Sequence, residues 1–262
     1  MLNTAVRAAR AAADHILRAS RRQDNYQVSE KSPKDYVSSV DHEAERIIME
    51  VIQKAYPDHA ILAEESGSHG EGDFQWIIDP LDGSTNFMHG FPCYSVSIAV
   101  RHNGRLEHGV IYDPNLDELF TASRGGGAKM NNRRIRVAQK ENLQGALLAT
   151  GFPFLANQNI DEYMGTLRAL IEQTSGIRRC GSAALDLAYL AAGRVDGFWE
   201  FNLRLWDIAA GVLLVQEAGG IVSDMQGGHS FLDSGSLVAA NPKVLRHILS
   251  TIRPHLDTAG GE

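Results

Sequence analysis

The sequence predicts an α/β protein whose N-terminal half is of the α+β type. Three features indicate this fold class. Apolar side chains recur at helical spacing in two segments within residues 1–59, strand-like patterns fill residues 94–122, and strands alternate with helices from about residue 145 onward. The simplest division of the chain is therefore an N-terminal half, residues 1–143, and a C-terminal half, residues 144–262.

Two amphipathic helices are expected in the N-terminal half. The first lies within residues 1–22, and the second has Asp41 near its N-terminus and Pro57 at its end. Residues 23–39, between them, are polar and predict a loop or a hairpin. The apolar stripe of the first helix consists of Leu2, Val6, Ala9, Ala13, Ile16 and Leu17, and that of the second consists of Ala44, Ile47, Ile48, Val51 and Ile52.

Short strands are expected after the second helix. The segment AILAEESG predicts a strand that ends at two glutamates, Glu64 and Glu65. Residues 67–74 predict a glycine-rich loop, and QWIID, residues 75–79, predicts a second buried strand.

An antiparallel meander is expected to complete the N-terminal half, because Asn103 and Gly104 are typical of a tight hairpin turn. In the C-terminal half, helices are expected to alternate with strands. Pro242 suits the first position of the last helix. The predicted helices lie within residues 160–176, 182–195, 206–220 and 242–256.

Composition restricts the classes of protein to which this chain can belong. Of its 262 residues, 44% are hydrophobic and 22% are charged, which is typical of folded globular proteins. The formal net charge of -7 argues against a protein that coats nucleic acid, so no direct nucleic-acid partner is expected. No segment has the roughly 20 apolar residues that a membrane span requires. Arg7 and Arg10 interrupt the apolar run of a signal peptide, so we expect a cytoplasmic protein without a membrane partner.

The chain has two cysteines, Cys93 and Cys180. One disulfide is possible, but this number does not fit a small secreted disulfide scaffold and suits a reducing compartment. Neither cysteine has histidine or cysteine neighbours at zinc-ligand spacing, so no zinc site is expected.

The segment WIIDPLDGSTNF, residues 76–87, leads a buried strand directly into two aspartates. Residues three apart in a strand point to opposite faces, so Asp79 and Asp82 can act together only if the strand ends and the chain turns. Pro80 and Gly83 favour a turn, because proline restricts the backbone and glycine permits unusual backbone angles. We therefore expect the strand to end at Asp79.

A short helix is expected to follow, with Ser84 or Thr85 as its cap. Its free N–H groups form a potential phosphate site, but the neighbouring acids repel a phosphate unless a cation cancels their charge. Carboxylates, carbonyls and waters are the ligands that Mg²⁺ prefers, and a phosphate completes its coordination shell. The alternative is an ordinary Asp-Pro-x-Asp-Gly turn at the surface.

Further acids lie at the ends of predicted elements. Glu64 and Glu65 follow a strand, and Asp207 lies at the start of a helix, directly after Trp206. Each has a simpler interpretation: Asp207 as a helix cap, and the glutamates as solvated loop charges. Their order along the chain does not establish that they converge.

Several long motifs resemble those of the inositol monophosphatase family, in the right order and over nearly the whole chain. Residues 76–87 resemble the family pattern W-x-x-D-P-[IL]-D-G-[ST]-x-N-F, and residues 206–220 are similar to W-D-x-A-A-G-x-x-L-x-x-E-A-G-G. Residues 35–41, 64–66 and 181–198 also match. In detail the chain is most similar to the bacterial SuhB-type members.

The resemblance implies a layered αβαβα sandwich, a homodimer, and hydrolysis of phosphate monoesters with two to three Mg²⁺ ions per site. Many members are inhibited by Li⁺, and inositol-1-phosphate is the substrate that the resemblance favours. The first ion would be held by Glu64, Asp79 and the backbone carbonyl of Leu81. The second would be held by Asp79, Asp82 and Asp207, and a third, weaker ion would lie near Glu64.

The same resemblance implies catalytic roles. Glu64 and Ser84 would orient a metal-bound water and take its proton, and Asp41 would hold the Ser84 hydroxyl. Many members carry Thr at the positions of Ser84 and Ser38, but both replacements keep the hydroxyl, so activity is expected to persist. The expected substrate-binding residues are Asp82, Gly83, Ser84, Gly181, Ser182, Ala183 and Glu200.

Two other functions stay open. The same scaffold also serves Mg²⁺-dependent phosphatases of the fructose-1,6-bisphosphatase, 3′-phosphoadenosine nucleotidase and histidinol-phosphatase types. Glu200 and the short loop 67–73 favour a small phosphorylated polyol over these substrates. A different class is an interaction factor, because SuhB-like members are linked to transcription complexes. A transcription-machinery protein would then contact Arg178 and Arg179, or the dimer face.

Overall fold

The computed structural model describes residues 1–21, 28–32, 35–153 and 159–256. These residues form the following α-helices: α1 (Leu2–Ser20), α2 (Ser39–Ala55), α3 (Ser84–Met88), α4 (Ile160–Ile171), α5 (Ala183–Ala191), α6 (Leu205–Glu217), α7 (Phe231–Ser234) and α8 (Pro242–Ile252). A 3-10 turn at Arg253–His255 follows the last helix.

The described strands form three sheets. The first is a hairpin of β1 (Val28–Ser32) and β2 (Asp35–Ser38). The second contains β3 (Ala60–Ala63), β4 (Gly67–His69), β5 (Phe74–Asp82), β6 (Ser95–His102), β7 (Arg105–Asp113), β8 (Glu118–Ser123), β9 (Gly127–Met130) and β10 (Arg133–Arg134). The third contains β11 (Leu147–Thr150), β12 (Gly176–Arg178), β13 (Gly197–Glu200), β14 (Ile221–Ser223) and β15 (Leu237–Ala240).

The order of strands differs between the two large sheets. The eight-stranded sheet has the order β10-β9-β8-β7-β6-β5-β3-β4 and is antiparallel except where β3 lies parallel to β5. The five-stranded sheet has the order β12-β11-β13-β15-β14, with β11 parallel to both of its neighbours. The expected antiparallel meander from β6 to β10 is confirmed.

Helices and sheets alternate in five layers. The pair α1 and α2 packs on one face of the eight-stranded sheet. The pair α5 and α6 fills the space between the two large sheets. The pair α4 and α8 covers the outer face of the five-stranded sheet. The expected αβαβα sandwich is thus confirmed.

The central helices are apolar on nearly all sides because a sheet covers each of their faces. In α6, all residues from 208 to 215 are buried. The helix lies directly on β7 at Gly109, where an added Cβ would be 2.9 Å from the carbonyl oxygen of Ala210. A glycine is therefore required at this contact. Because α6 carries Asp207, its close seating also brings that acid to the eight-stranded sheet.

Asp41 lies near the start of α2, as expected. Ser38 is the cap, and its hydroxyl oxygen accepts the N–H of Val40 at 3.2 Å. Asp41 is the third residue of the helix and accepts the backbone N–H of Ser38 at 2.9 Å. Ser38 and Asp41 form a capping box, in which the side chain of each residue accepts a backbone N–H from the opposite end of the first helical turn.

Other local expectations have mixed outcomes. The tight turn at Asn103 and Gly104 is confirmed, with φ angles of 49° and 79°. Residues 67–74, expected to be a loop, instead contain β4, which folds back antiparallel on β3. The helix α7 and the 3-10 turn were not expected, since segments of three or four residues are too short to show helical periodicity.

The polar segment 23–39 contains the hairpin of β1 and β2, which confirms one of its two expected forms. Residues 23–27 and 33–34 of that segment lie outside the described residues. The eight-stranded sheet is built from residues 60–134 and the five-stranded sheet from residues 147–240. One buried cluster nevertheless contains residues of both sheets, and the division into two halves stays a prediction.

Among the described residues, no helix is both long enough and apolar enough to cross a membrane.

Candidate active site

An extra residue in β5 places two acids on one face of the eight-stranded sheet. Asp79 pairs with Ser97 of β6 and Asp82 pairs with Ser95, so three steps along β5 match two steps along β6. Ser95 and Ser97 point to the same face, and the bulge therefore brings Asp79 and Asp82 to the same face as well. The expectation that the strand ends at Asp79 is wrong. Pro80 lies within the bulge, where a missing N–H is tolerated.

The turn after β5 depends on Gly83. Its φ angle is +101°, and an added Cβ would lie 2.9 Å from the carbonyl oxygen of Cys93. Both facts exclude other residues. Gly83 is also the residue that precedes α3, so neither Ser84 nor Thr85 caps this helix as expected, and Ser84 is its first residue.

The hydroxyl of Ser84 lies between two acceptors. It is 2.5 Å from Oδ1 of Asp41 and 2.9 Å from the backbone oxygen of Leu81. Asp41 is 1% exposed, and its second oxygen accepts the hydroxyl of Ser38 at 2.6 Å. The structure therefore connects the start of α2 to the start of α3, and Asp41 holds Ser84 as expected.

Asp82 connects the two large sheets. Its Oδ2 accepts the hydroxyl of Ser182 at 2.5 Å and the N–H of Ala184 at 2.7 Å. Ser182 is the cap of α5 and accepts the N–H of Leu185 at 3.3 Å. The N-terminus of α5 is thereby attached to the bulge in β5.

Glu64 and Asp207 approach the same place from other elements. Glu64 directly follows β3, which runs parallel to β5, and its N–H donates to the carbonyl of Ile78 at 3.1 Å. Asp207 is the third residue of α6, and its Oδ2 accepts the N–H of Arg204 at 2.7 Å. Arg204 is therefore the cap residue of α6, and Asp207 satisfies the backbone N–H of Arg204 from within the first turn.

Mutual repulsion shows that these four acids are close. Burial, followed by the charges of Glu64, Asp82 and Asp207, raises the pKa of Asp79 well above its usual value. Burial raises the pKa of Asp82 to about 6, although donors such as Ser182 oppose the rise. Burial and the charge of Asp82 also raise the pKa of Asp207. Unbalanced negative charge of this kind in an enclosed place is typical of cation and catalytic sites.

The fit of these residues to Mg²⁺ rests on their chemistry. All are oxygen ligands, as a hard cation prefers, and their uncompensated charge favours one. In the described part of the chain, no three acidic, histidine or cysteine side chains converge as closely as they do around a bound metal. Glu64 nevertheless lies close enough to Asp79 for its charge to raise the pKa of Asp79.

The expected substrate-binding residues lie beside the acids. The backbones of Gly83 and Gly181 lie close together: a Cβ added to Gly83 would be 3.2 Å from the carbonyl oxygen of Gly181. Ala183 is the first residue of α5. Glu200 ends β13, and burial raises its pKa to about 8, against the lowering effect of Arg179. At neutral pH its carboxyl is thus protonated and can donate a hydrogen bond.

Two supporting residues were missed in the sequence. Glu45 is buried and accepts the N–H groups of Glu65 and Ser66 at 2.8 and 2.9 Å, so it holds the segment around Glu64. An acid on the buried face of α2, one turn after Asp41, was the available signal. Asn86 donates to the carbonyl oxygens of Cys93 and Cys180, a contact that sequence spacing does not indicate.

Comparisons with known proteins agree with this geometry. A model of the inositol monophosphatase family matches residues 1–257. A Pseudomonas aeruginosa protein named Nus factor SuhB is 57% identical, over 98% of this chain and 97% of its own length. The solved structure of extragenic suppressor protein suhB from Bartonella henselae has a TM-score of 0.93 at 45% identity and covers 99% of this chain and 98% of its own.

A solved inositol monophosphatase from Anabaena (Nostoc) sp. has a TM-score of 0.84 at 37% identity, covering 98% of this chain and 96% of its own. The likeness therefore extends over the whole sandwich, including every element that contributes an acid to the site. On the family match, the sequence identity and the shared fold, this chain belongs to the inositol monophosphatase family.

Proposed function

We propose that this protein hydrolyses phosphate monoesters with the help of Mg²⁺, and that inositol-1-phosphate is its substrate. The observation that carries this proposal is the proximity of four acids, from the end of β3, from β5 and from α6, beside a hydroxyl that Asp41 holds. Family membership supports a phosphatase. The Mg²⁺ dependence, the inositol-1-phosphate substrate and the assembly into a homodimer are parts of this proposal.

In this proposal two ions bind the acids. Glu64, Asp79 and the carbonyl of Leu81 would hold the first, and Asp79, Asp82 and Asp207 would hold the second. A third, weaker ion would lie near Glu64. Bound Mg²⁺ supplies charge neutralisation for the phosphate and acidifies a water. Neutralisation also relieves the repulsion that raises the pKa of Asp79.

The chain's own residues then orient the reacting groups. Asp41 accepts the Ser84 hydroxyl, so the lone pairs of Ser84 stay available to position a water, and Glu64 can take a proton from it. The N–H groups of Gly83 and Ser84 would contact the phosphate. Holding these groups in place before the reaction removes the entropic cost of assembling them.

Substrate recognition is assigned to the C-terminal half. The N-terminus of α5, with Gly181, Ser182 and Ala183, lies next to Asp82. Glu200 keeps its proton at neutral pH because burial raises its pKa to about 8. A neutral carboxyl both donates and accepts, which suits the hydroxyl groups of a polyol. This chemistry supports a phosphorylated polyol over a nucleotide.

A substrate screen tests the proposal. Inositol-1-phosphate, fructose-1,6-bisphosphate, a 3′-phosphoadenosine nucleotide and histidinol phosphate are each incubated with the protein and Mg²⁺, and released phosphate is measured. The expected result is fastest release from inositol-1-phosphate, loss of activity with a chelator, and inhibition by Li⁺. The matched control is Asp82→Asn, which should abolish release. No release from any monoester overturns the proposal.

The names of close relatives favour a second function. Several proteins more than half identical to this chain, among them the Pseudomonas aeruginosa one, are named Nus factor SuhB. We propose accordingly that the chain also binds a protein of the transcription machinery. An affinity pull-down from cell extract with Asp82→Asn tests this, because binding should survive loss of catalysis. Equal recovery of transcription proteins with an unrelated bait contradicts it.

A further inference from the structure

The only two cysteines of the chain lie together beside the acidic site. Cys93 lies between α3 and β6, and Cys180 lies between β12 and α5. Both are free and partly exposed. The side-chain amide of Asn86 donates to the carbonyl oxygen of Cys93 at 2.7 Å and to that of Cys180 at 2.8 Å, so the two backbones run side by side. Their side chains lie close enough for each to shift the pKa of the other.

The charges around the pair differ at its two ends. Cys180 follows Arg178 and Arg179 in the chain, and the thiol of Cys93 together with these arginines and the carboxyl of Asp186 lowers the pKa of Cys180 to about 6. Burial, followed by the charge of Cys180, raises the pKa of Asp186. Interaction with Cys180, followed by burial, raises the pKa of the Cys93 thiol. Cys180 is therefore the thiolate of the pair.

We propose that Cys93 and Cys180 are an oxidation site that forms a reversible disulfide and thereby inactivates the phosphatase. The oxidant is a peroxide. The Cys180 thiolate attacks one peroxide oxygen, the O–O bond breaks, and a sulfenic acid forms on Cys180 with release of water after proton uptake. The Cys93 sulfur then attacks the sulfur of Cys180, the S–S bond forms, the S–O bond breaks, and a second water leaves with the Cys93 proton.

The position of the pair explains why this bond would change activity. Cys180 is two residues before Ser182, whose hydroxyl donates to Asp82 at 2.5 Å. The carbonyl of Cys93 lies against Gly83, where an added Cβ would be only 2.9 Å away. Drawing the two sulfurs to S–S bond length pulls on both segments, because disulfide geometry is narrow. The segments that position Asp82 and Gly83 then move.

A displacement of about 1 Å in an active site lowers turnover by roughly 10². Disulfide formation is therefore expected to reduce activity by at least about tenfold, and a thiol reductant should restore it. This consequence rests on the proposed phosphatase function, but the chemistry of the thiols does not. The covalent state of the two cysteines and the release of phosphate are therefore measured separately.

The experiment uses the full chain, reduced and then treated with hydrogen peroxide. Intact mass spectrometry, with alkylation of free thiols, follows the covalent state, and phosphate release follows activity. We expect the mass of one disulfide within a single chain and no disulfide between chains, loss of alkylation at both cysteines, and reversal by reductant. Cys93→Ser should instead stop at a sulfenic acid on Cys180, which a dimedone-type reagent captures.

Matched variants keep the outcome decisive. Cys180→Ser and Cys93→Ser should keep the activity of the reduced protein and lose its sensitivity to peroxide. Two alkylatable thiols after peroxide treatment overturn the proposed site, and a disulfide that leaves phosphate release unchanged overturns the inactivation. If the reduced protein releases no phosphate while the disulfide still forms, the phosphatase function fails and the oxidation site stands.

Discussion

The Ser84 hydroxyl lies 2.5 Å from Oδ1 of Asp41, which joins the first turn of α3 to the first turn of α2. Asp41 is nearly inaccessible to solvent, and its other oxygen is occupied by Ser38. Neither carboxylate oxygen is therefore free to contact a metal directly without losing a donor. This arrangement separates the hydroxyl that is proposed to position water from the acids that would hold Mg²⁺.

Replacement of that hydroxyl should affect turnover rather than metal binding. Ser84→Ala is expected to lower kcat by about 10²–10⁴, the usual contribution of a group that positions and accepts a proton. The Mg²⁺ concentration for half-maximal activity should barely change. Steady-state kinetics across a Mg²⁺ series provide the measurement. Ser84→Thr is the control and should stay active, while near-normal turnover in Ser84→Ala removes this residue from the mechanism.

Replacement of the acid on α6 should weaken metal binding. Asp207→Asn keeps an acceptor for the N–H of Arg204 but removes one charge from the cluster. The half-activating Mg²⁺ concentration is expected to rise by about 10- to 100-fold, the range seen when metal sites lose supporting groups. The exposed Asp233→Asn is the control. An unchanged Mg²⁺ dependence would contradict the assignment of Asp207.

Removal of the buried acid Asp79 should stabilise the metal-free protein. Asp79 is 1% exposed and its pKa is raised by burial and by three neighbouring acids, so its ionisation opposes folding at neutral pH. In a chelator at pH 7, Asp79→Asn should raise the unfolding temperature by roughly 2–4 °C for each kcal/mol of relief. Calorimetry with and without Mg²⁺ measures this.

Wild type and Asp79→Asn should also differ in how much Mg²⁺ stabilises them. A cation bound at 100 times its Kd stabilises the native state by about 2.7 kcal/mol, which wild type should show and Asp79→Asn should lose. Asp58→Asn, at an exposed position, should behave as wild type. A destabilised Asp79→Asn protein in chelator would be evidence that the acids do not repel one another.

The buried carboxyl of Glu200 should make stability depend on pH. Its folded pKa is raised to about 8, above the usual 4.5, so the native state holds this proton more tightly than the unfolded state. Its contribution to stability is therefore fully present below about pH 4.5 and is lost as the pH rises towards 8.

Glu200→Gln isolates this effect. In a chelator, urea unfolding of wild type should lose up to about 1.4 kcal/mol per pH unit from this one proton. The variant should lack that slope, so the difference between the two proteins grows with pH in favour of the variant. Parallel pH profiles for both proteins would show that Glu200 titrates normally.

Much of this protein was predictable because the signals were local. The stripes of α1 and α2, the Asn103-Gly104 turn and the start of α8 at Pro242 each depend on a few neighbouring residues. The short elements β4 and α7 were missed because three or four residues carry too little periodicity. The full set of candidate acids was also visible in the sequence, as a list of positions without a common location.

The sequence by itself determined the order of the longer helices and strands, the candidate acids and the family resemblance, since these depend on residue type and spacing. Only the tertiary structure decided that Asp79 and Asp82 share a face. The bulge in β5 and its pairing with β6 determine to which face of the sheet each side chain points. The tertiary structure likewise decided that Ser182 holds Asp82 and that Cys93 meets Cys180. Contacts between residues far apart in the chain depend on how sheets and helices pack, and local spacing carries no information about that packing.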